Sequence, residues 1–94
     1  MATWDDLTTR EQECYYYFGN GFNQVEIGCL FYISPETVRT HLHNGKNKLK
    51  GRTPTETLSD LSRAGAIKKM TYDEKQAELK RLEEIKEKYG KKKK

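Results

Sequence analysis

Apolar positions recur along the chain at the spacing of helices rather than with the alternation of strands. The sets at intervals of three, four or seven residues are Ile27 and Leu30; Val38, Leu42 and Leu49; and Leu58 and Leu61. Such intervals place the members of each set on one face of a helix. The aromatic run at 15–18 resembles a strand, but it lies between a helix-start signal and the Gly19-Asn20-Gly21 turn. The pattern therefore predicts an all-α fold.

The starts of the helices are marked by residues that cap them. Three Thr-x-x-Glu capping boxes are present: Thr8 with Glu11, Thr53 with Glu56, and Thr71 with Glu74. In such a box the hydroxyl accepts a hydrogen bond from an early backbone N–H, and the glutamate accepts one from the N–H of the cap. Ser34-Pro35 and Thr53-Pro54 also place proline at a first helical position. These signals and the apolar spacing predict helices over 9–18, 23–31, 35–49, 54–63 and 72–89.

The last predicted helix differs from the others because it is rich in lysine and glutamate. Its apolar stripe is narrow and consists of Leu79, Leu82, Ile85 and Tyr89. A helix this polar is marginally stable alone. We therefore expect it to pack on the domain as a strap, to pair with a partner copy, or to contact DNA as a basic arm. Gly90 and residues 91–94 are expected to be disordered.

Composition restricts the chain to one small domain and suggests its partner. The chain has 94 residues, 34% of them hydrophobic, so its core is small. Residues 1–35 carry one base and five acids, 36–52 carry five bases and one acid, and 68–94 carry eleven bases and six acids. Residues 53–67 carry one base and two acids, so the two basic zones outweigh the acids and give a net charge of +4. This distribution favours a nucleic-acid partner.

The sequence lacks the signals that are typical of several other classes of protein. No apolar stretch approaches the roughly 18 residues of a membrane span, and the acidic start is unlike a secretory signal, so we expect a cytoplasmic protein without membrane contact. Cys14 and Cys29 lie in separate apolar stretches without a CxxC motif, which predicts two buried thiols and no metal. No nucleophile–base set or phosphate loop appears, so neither an enzyme nor a cofactor is expected.

The second and third predicted helices, joined by a tight turn, have the arrangement of a helix-turn-helix. Val38 and Leu42 would bury the inner side of the third helix and leave Arg39, Thr40 and His43 to project from it. Arginine can bind guanine through two hydrogen bonds, threonine can contact the methyl group of thymine or a phosphate, and histidine can donate to base edges. We therefore predict base contacts from these three residues.

Basic residues farther along are better placed to meet phosphates, and they are Lys46, Lys48, Lys50 and Arg52. Phosphate contacts set affinity and register but carry no sequence preference. The alternative interpretation of the whole cluster is a solvated polar face on an ordinary core helix.

An ordered series of motifs resembles the DNA-binding domain of LuxR-type (GerE-type) bacterial regulators. The series consists of Leu7-Thr8-Thr9-Arg10-Glu11-Gln12-Glu13, Gly21, Glu26-Ile27, Ile33-Ser34-Pro35-Glu36-Thr37-Val38-Arg39-Thr40-His41-Leu42, Lys48-Leu49, Arg52-Thr53, Glu56 and Gly65-Ala66-Ile67. The resemblance spans residues 7–67 without a break in order. Single motifs in the series are weak, whereas the ordered set is specific.

The resemblance implies a four-helix domain over residues 1–67 that binds double-stranded DNA as a homodimer, commonly through its fourth helix. Residues 68–94 would then be an added amphipathic helix with a lysine tail. The resemblance also implies base contacts from Arg39, Thr40 and His43, and backbone contacts near Thr37, Lys46 and Lys48.

Three positions depart from the family pattern. Val25 stands where the family usually has a lysine, which removes one expected phosphate contact. Gly28 replaces a small alanine, a change that we expect to be sterically mild. Gly45 replaces a branched apolar residue, so we expect weaker core packing, up to about 1 kcal/mol of reduced helix propensity, and a bend or early end of the third helix.

These observations predict a bacterial or phage transcription regulator that recognises specific DNA sequences as a dimer. The alternative is a protein-interaction module of the same fold that binds RNA polymerase or a larger LuxR-type regulator. Val25, Gly45, the acidic start and the apolar stripe of the last helix favour that alternative. Region four of sigma factors has a similar turn, but the series from Arg52-Thr53 to Ile67 fits the LuxR type better.

Overall fold

The computed structural model describes residues 2–90, with side chains to residue 88, and contains helices only within that part of the chain. A 3-10 helix, Trp4–Asp6, precedes five α-helices: α1 (Thr9–Gly19), α2 (Gln24–Phe31), α3 (Pro35–Lys48), α4 (Pro54–Arg63) and α5 (Tyr72–Gly90). The all-α prediction is confirmed, and every predicted boundary lies within one residue of the observed one. Helix α5 includes Gly90, so the expectation of disorder at that glycine was wrong. Residues 91–94 lie outside the described residues.

The caps explain why the predicted starts were accurate. Both hydrogen bonds of the capping box form at Thr8–Glu11 and at Thr71–Glu74. The hydroxyl of Thr53 accepts from the backbone N–H of Glu56 at 3.0 Å, and that of Ser34 accepts from the N–H of Thr37 at 3.1 Å. A further box, which we did not predict, starts α2: Asn23 and Glu26 bond each other reciprocally. The Asn-x-x-Glu pattern that signals it is present in the sequence.

The core draws on every α-helix. Its buried side chains are Leu7, Cys14, Tyr15, Phe22, Ile27, Leu30, Val38, Leu42, Leu61, Leu82 and Ile85. Cys14 is fully buried, and burial raises the pKa of its thiol to about 11, which keeps it protonated and unreactive. Cys29 is only half-buried, so the prediction of two buried thiols was wrong for that residue.

The turn between α2 and α3 is tighter than an alanine at position 28 would allow. The backbone N–H of Ile33 donates to the carbonyl oxygen of Gly28 at 2.9 Å. A Cβ at Gly28 would lie 2.6 Å from the carbonyl oxygen of Ile33. The expectation that the exchange of alanine and glycine is sterically mild here was therefore wrong, because the obstacle is backbone rather than a movable side chain.

Helix α3 continues through Gly45 to Lys48, so it does not end early at the glycine. Tyr15 of α1 occupies the space beside this glycine, and its hydroxyl donates to the carbonyl oxygen of Leu42 at 2.6 Å. The ring is fully buried. The core packing that a branched residue would provide from α3 therefore comes from α1.

Helix α5 packs along α2 as a strap, the first of the three arrangements considered for it. Of its apolar stripe, Leu82 and Ile85 are buried and Leu79 is half-buried against the core, whereas the side chain of Tyr89 lies outside the described ones. The guanidinium of Arg81 donates to the carbonyl oxygen of Leu30, at the C-terminal end of α2, at 3.0 Å. The hydroxyl of Tyr17 donates to the carboxylate of Glu78 at 2.9 Å. Apolar burial and polar contacts thus tie the added helix to the domain.

Candidate nucleic-acid interface

Helix α3 has one buried face and one polar, exposed face. Val38 and Leu42 are fully buried, and Gly45 lies against the ring of Tyr15 on the same side. At 100° per residue, the direction opposite this face is occupied by polar residues. The exposed members of that set are Glu36, Thr37, Thr40, Asn44 and Asn47. The helix that follows the turn therefore presents a polar surface of more than three turns to solvent.

The three predicted base contacts share the outer half of α3 but differ in exposure and bonding. Arg39 and Thr40 are exposed, whereas His43 is half-buried. The Thr40 hydroxyl donates to the carbonyl oxygen of Glu36 at 3.0 Å, which leaves its methyl group to face outward. The side chains of Arg39 and His43 have no hydrogen bond or ion pair with another described residue. Their polar groups are available to a ligand.

Two of the predicted backbone contacts, Thr37 and Lys46, lie at opposite ends of this surface. The hydroxyl of Thr37 is 2.9 Å from the hydroxyl of Ser34, in the first turn of α3. The amine of Lys46 donates to the carbonyl oxygen of Arg52 at 3.5 Å, which is a long bond. This contact holds Lys46 near the loop that follows α3. The amine of Lys46 can give up this bond and bind a phosphate instead.

Lys48 is engaged within the domain. Its amine donates to the carboxylate of Glu11 at 2.8 Å, and the backbone N–H of Thr8 donates to the same carboxylate oxygen. The Glu11 side chain is 5% exposed and that of Lys48 is 39% exposed. Burial raises the pKa of Glu11, but the bonds from Lys48 and Thr8 outweigh burial and lower that pKa below its usual value. The pair joins α1 to the end of α3, so the predicted phosphate contact from Lys48 competes with an ion pair.

Lys50 and Arg52 occupy the exposed loop between α3 and α4. Lys50 has a left-handed backbone with φ of 59°, which costs a non-glycine residue about 1–2 kcal/mol. Neither side chain bonds another residue in the part of the chain that the structure describes. The loop therefore holds two unpaired cations beside the C-terminal end of the polar face.

Two asparagines on the outer face of α3 were missing from the predicted contacts. Asn44 and Asn47 are exposed and lie close to the direction opposite Val38 and Leu42. Asparagine can bind adenine through two hydrogen bonds. The helical period places both residues on the outer face, but a neutral amide on an exposed helix face is by itself no signal of a base contact.

The start of α2 carries no cation in its first turn. Val25, at the position where the resemblance implies a lysine, is 54% exposed. The three residues before it are Phe22, which is buried, and Asn23 and Gln24, which are neutral. The missing phosphate contact is thus not replaced by a neighbour within α2.

The described residues contain no group of three or more side chains suited to a metal ion. None of their helices is long and apolar enough to cross a membrane.

Comparison with known families gives one match. Residues 5–58, more than half of the chain, match the family described as bacterial regulatory proteins, luxR family. The matched part includes α1, α2, α3 and every predicted DNA contact, whereas α5 lies outside it. Neither the curated proteins nor the solved structures include a match to this chain. The chain therefore belongs to the luxR family of bacterial regulatory proteins, whose helix-turn-helix domains are DNA-binding and regulate transcription.

Proposed function

We propose that this chain is a transcription regulator that recognises a specific double-stranded DNA sequence by inserting α3 into the major groove. Arg39, Thr40 and His43 contact base edges, and Asn44 adds an amide to the same surface. The residues that contact the sugar-phosphate backbone are Thr37, Lys46, Lys50 and Arg52. The protein acts in the cytoplasm, where bacterial DNA is accessible.

The observation that carries this proposal is the difference between the two faces of α3. Its inner face is fully buried at Val38 and Leu42, whereas its outer face offers Arg39 and His43 without partners among the described residues. On a surface helix an arginine can pair with an acid three or four positions away. Glu36 is three positions before Arg39, but the two side chains form no ion pair in the described residues. The unpaired donors of Arg39 and His43 therefore favour an external acceptor.

We further propose that the protein binds DNA as a homodimer through α4, as the family resemblance implies. The apolar residues of α4 pack inward, with Leu61 buried and Leu58 half-buried. Its exposed residues are polar: Thr55, Glu56, Ser59, Asp60, Ser62 and Arg63. A surface this polar supports a weak dimer, so we expect two subunits to assemble on adjacent half-sites rather than before binding.

Selection of bound sequences from a pool of random duplexes tests the proposal. A regulator of this kind enriches one motif, and a dimer enriches a two-fold symmetric motif whose half-sites are about one helical turn apart. Binding without enrichment of any motif would reject sequence recognition. Enrichment of a single half-site would reject the dimer alone.

The second candidate is a protein-interaction module that binds RNA polymerase or a larger regulator of the same family. Exposed apolar side chains at both ends of α2 favour it, with Val25 54% exposed and Tyr32 65% exposed. The apolar residues of α5 and Gly45 do not favour it, because Leu82 and Ile85 are buried and Gly45 is packed by Tyr15. Titration of purified RNA polymerase in the absence of DNA distinguishes the candidates. A complex abolished by Val25→Ser and Tyr32→Ser favours the module.

A further inference from the structure

A notch of about 370 Å³ opens where the turn between α1 and α2 meets the start of α5. Its lining residues are Gly19, Asn20, Gly21, Lys69, Met70 and Lys75. The amines of Lys69 and Lys75 have no ion pair or hydrogen bond with another residue in the described range 2–90. Two unpaired cations on a surface otherwise formed by small and neutral residues suit an anionic partner.

The notch lies directly before the first turn of α2. The amine of Lys75 is 3.1 Å from the point that a Cβ at Gly21 would occupy, and Gly21 precedes the Asn23 cap by two residues. In helix-turn-helix complexes the helix before the recognition helix crosses the DNA backbone. The capping box at the N-terminus of α2 uses the backbone N–H groups of Asn23 and Glu26, so a phosphate bound there depends on nearby cations. A phosphate near the start of α2 is therefore within reach of Lys75.

The same place is where this chain departs from its family. The resemblance to the family implies a lysine at position 25, in the first turn of α2, where this chain has Val25. Lys69 and Lys75 lie beyond the residues that match the family. We propose that these two lysines bind phosphates of the DNA backbone, so that the added segment supplies the cation that position 25 lacks. This inference rests on the proposed DNA-binding function.

Four contacts hold the two lysines in position. The side-chain amide of Asn20 donates to the carbonyl oxygen of Lys68 at 3.0 Å, and its oxygen accepts from the backbone N–H of Met70 at 2.8 Å. These bonds fix the segment that contains Lys69 against the turn. The bonds of Tyr17 to Glu78 and of Arg81 to Leu30 then align α5 along α2. The position of Lys75 is therefore set by the packing of α5 on α2 as well as by the conformation of its own flexible side chain.

Acids in the first turn of α5 do not neutralise the notch. The carboxylate of Glu74 accepts from the backbone N–H of Thr71 at 2.8 Å, as part of the helix cap. Its side chain lines a separate groove beside Tyr16. Asp73 is exposed and has no bond with a described residue, and it is not among the residues that line the notch.

Salt dependence of DNA binding tests the inference. The full chain and its variants are titrated against one labelled duplex over a series of potassium chloride concentrations. Removal of one phosphate contact lowers the slope of log Kd against log salt by about 0.9. We expect that decrease for Lys75→Gln and about twice as much for the double variant Lys69→Gln/Lys75→Gln. Lys80→Gln and Lys86→Gln remove the same charge from exposed positions elsewhere on α5 and should leave the slope unchanged.

A gain-of-function variant makes the test specific to this location. Val25→Lys, added to Lys75→Gln, should return the slope to its wild-type value, because it places a cation at the start of α2. Equal slopes for Lys75→Gln and the wild-type chain would overturn the inference while leaving the proposed function intact. Equal decreases in the Lys80 and Lys86 variants would overturn it too, since net charge would then explain the effect. A wild-type chain that binds no duplex at low salt would overturn both, and thermal unfolding confirms that each variant is folded.

Discussion

The ring of Tyr15 lies so close to Gly45 that a Cβ at position 45 would be 2.8 Å from the ring carbon Cε2. The ring is fully buried and its hydroxyl is bonded to α3, so it has little freedom to move away. Tyrosine and glycine thus form a complementary pair across α1 and α3. The space left by the absence of a branched side chain on α3 is filled by the ring of Tyr15 on α1.

This pairing predicts that Gly45→Ala destabilises the protein. Alanine gains up to about 1 kcal/mol of helix propensity, but overpacking a filled core costs about 1–3 kcal/mol. We expect the clash to win and the free energy of unfolding to fall by about 1 kcal/mol. Chemical denaturation measures it. Asn44→Ala, at the adjacent exposed position of the same helix, is the matched control and should be slightly stabilising; a stabilising Gly45→Ala would contradict the pairing.

Local signals made the fold predictable, and long-range contacts set the limit of that prediction. Capping residues and apolar spacing act within a few residues, so the five helices were located to within one residue at each end. The effect of a side chain at position 45 depends on Tyr15, which belongs to a different helix. The effect of a side chain at position 28 depends on the backbone beyond the turn. Position-by-position comparison with a family pattern does not contain those partners.

The candidate site was predictable to a similar degree. Helical phase correctly separated the buried Val38 and Leu42 from the exposed Arg39 and Thr40. It did not show that Lys48 reaches Glu11, because the two residues are 37 positions apart. The notch at Lys75 was also outside the prediction, since only the packing of α5 on α2 brings that lysine to Gly21.

The ion pair between Lys48 and Glu11 predicts a pH-dependent contribution to stability. The pKa of Glu11 is lowered on folding, so the stabilisation is complete above the unfolded pKa near 4.5 and is lost as the pH falls through the folded pKa. We expect Glu11→Gln to lower the free energy of unfolding by about 1–2 kcal/mol at neutral pH, and the difference from wild type to shrink in acid. Urea denaturation over a pH series measures it. A difference that persists unchanged in acid would argue against the pair.

The left-handed backbone at Tyr32 predicts a stabilising substitution. Tyr32 has φ of 59° at the C-terminal cap of α2 and is 65% exposed. Relief of about 1–2 kcal/mol of strain outweighs the small change in the flexibility of the unfolded chain when asparagine replaces tyrosine. Tyr32→Asn should therefore raise Tm by a few degrees, as measured by circular dichroism. Tyr72→Asn, at an exposed tyrosine of α5, is the control and should not raise Tm. Equal Tm changes in the two variants would show that the effect comes from removing a tyrosine rather than from relief of backbone strain.

Burial of Leu82 and Ile85 predicts that α5 stabilises the monomer. Leu82 is 3% exposed, so Leu82→Ala should lower the free energy of unfolding by about 2–4 kcal/mol. Glu83→Ala, at the next and exposed position, should have little effect. Denaturation at several protein concentrations distinguishes a strap from a dimer helix. A midpoint that rises with concentration in the wild type and not in Leu82→Ala would instead assign the stripe to a dimer interface.

Removal of a predicted base contact and removal of a predicted phosphate contact should change DNA binding in different ways. Arg39→Ala takes away a base-facing donor, so it should lower discrimination between the selected site and a scrambled duplex by about 1–3 kcal/mol. Arg52→Ala removes an equal charge from the loop after α3, where we propose a phosphate contact. It should weaken binding to both duplexes alike and reduce the salt slope by about 0.9. Competition titrations with the two duplexes measure both quantities. If Arg39→Ala weakens both duplexes equally, α3 does not use this arginine to recognise bases; if Arg52→Ala alters discrimination, the loop takes part in sequence recognition.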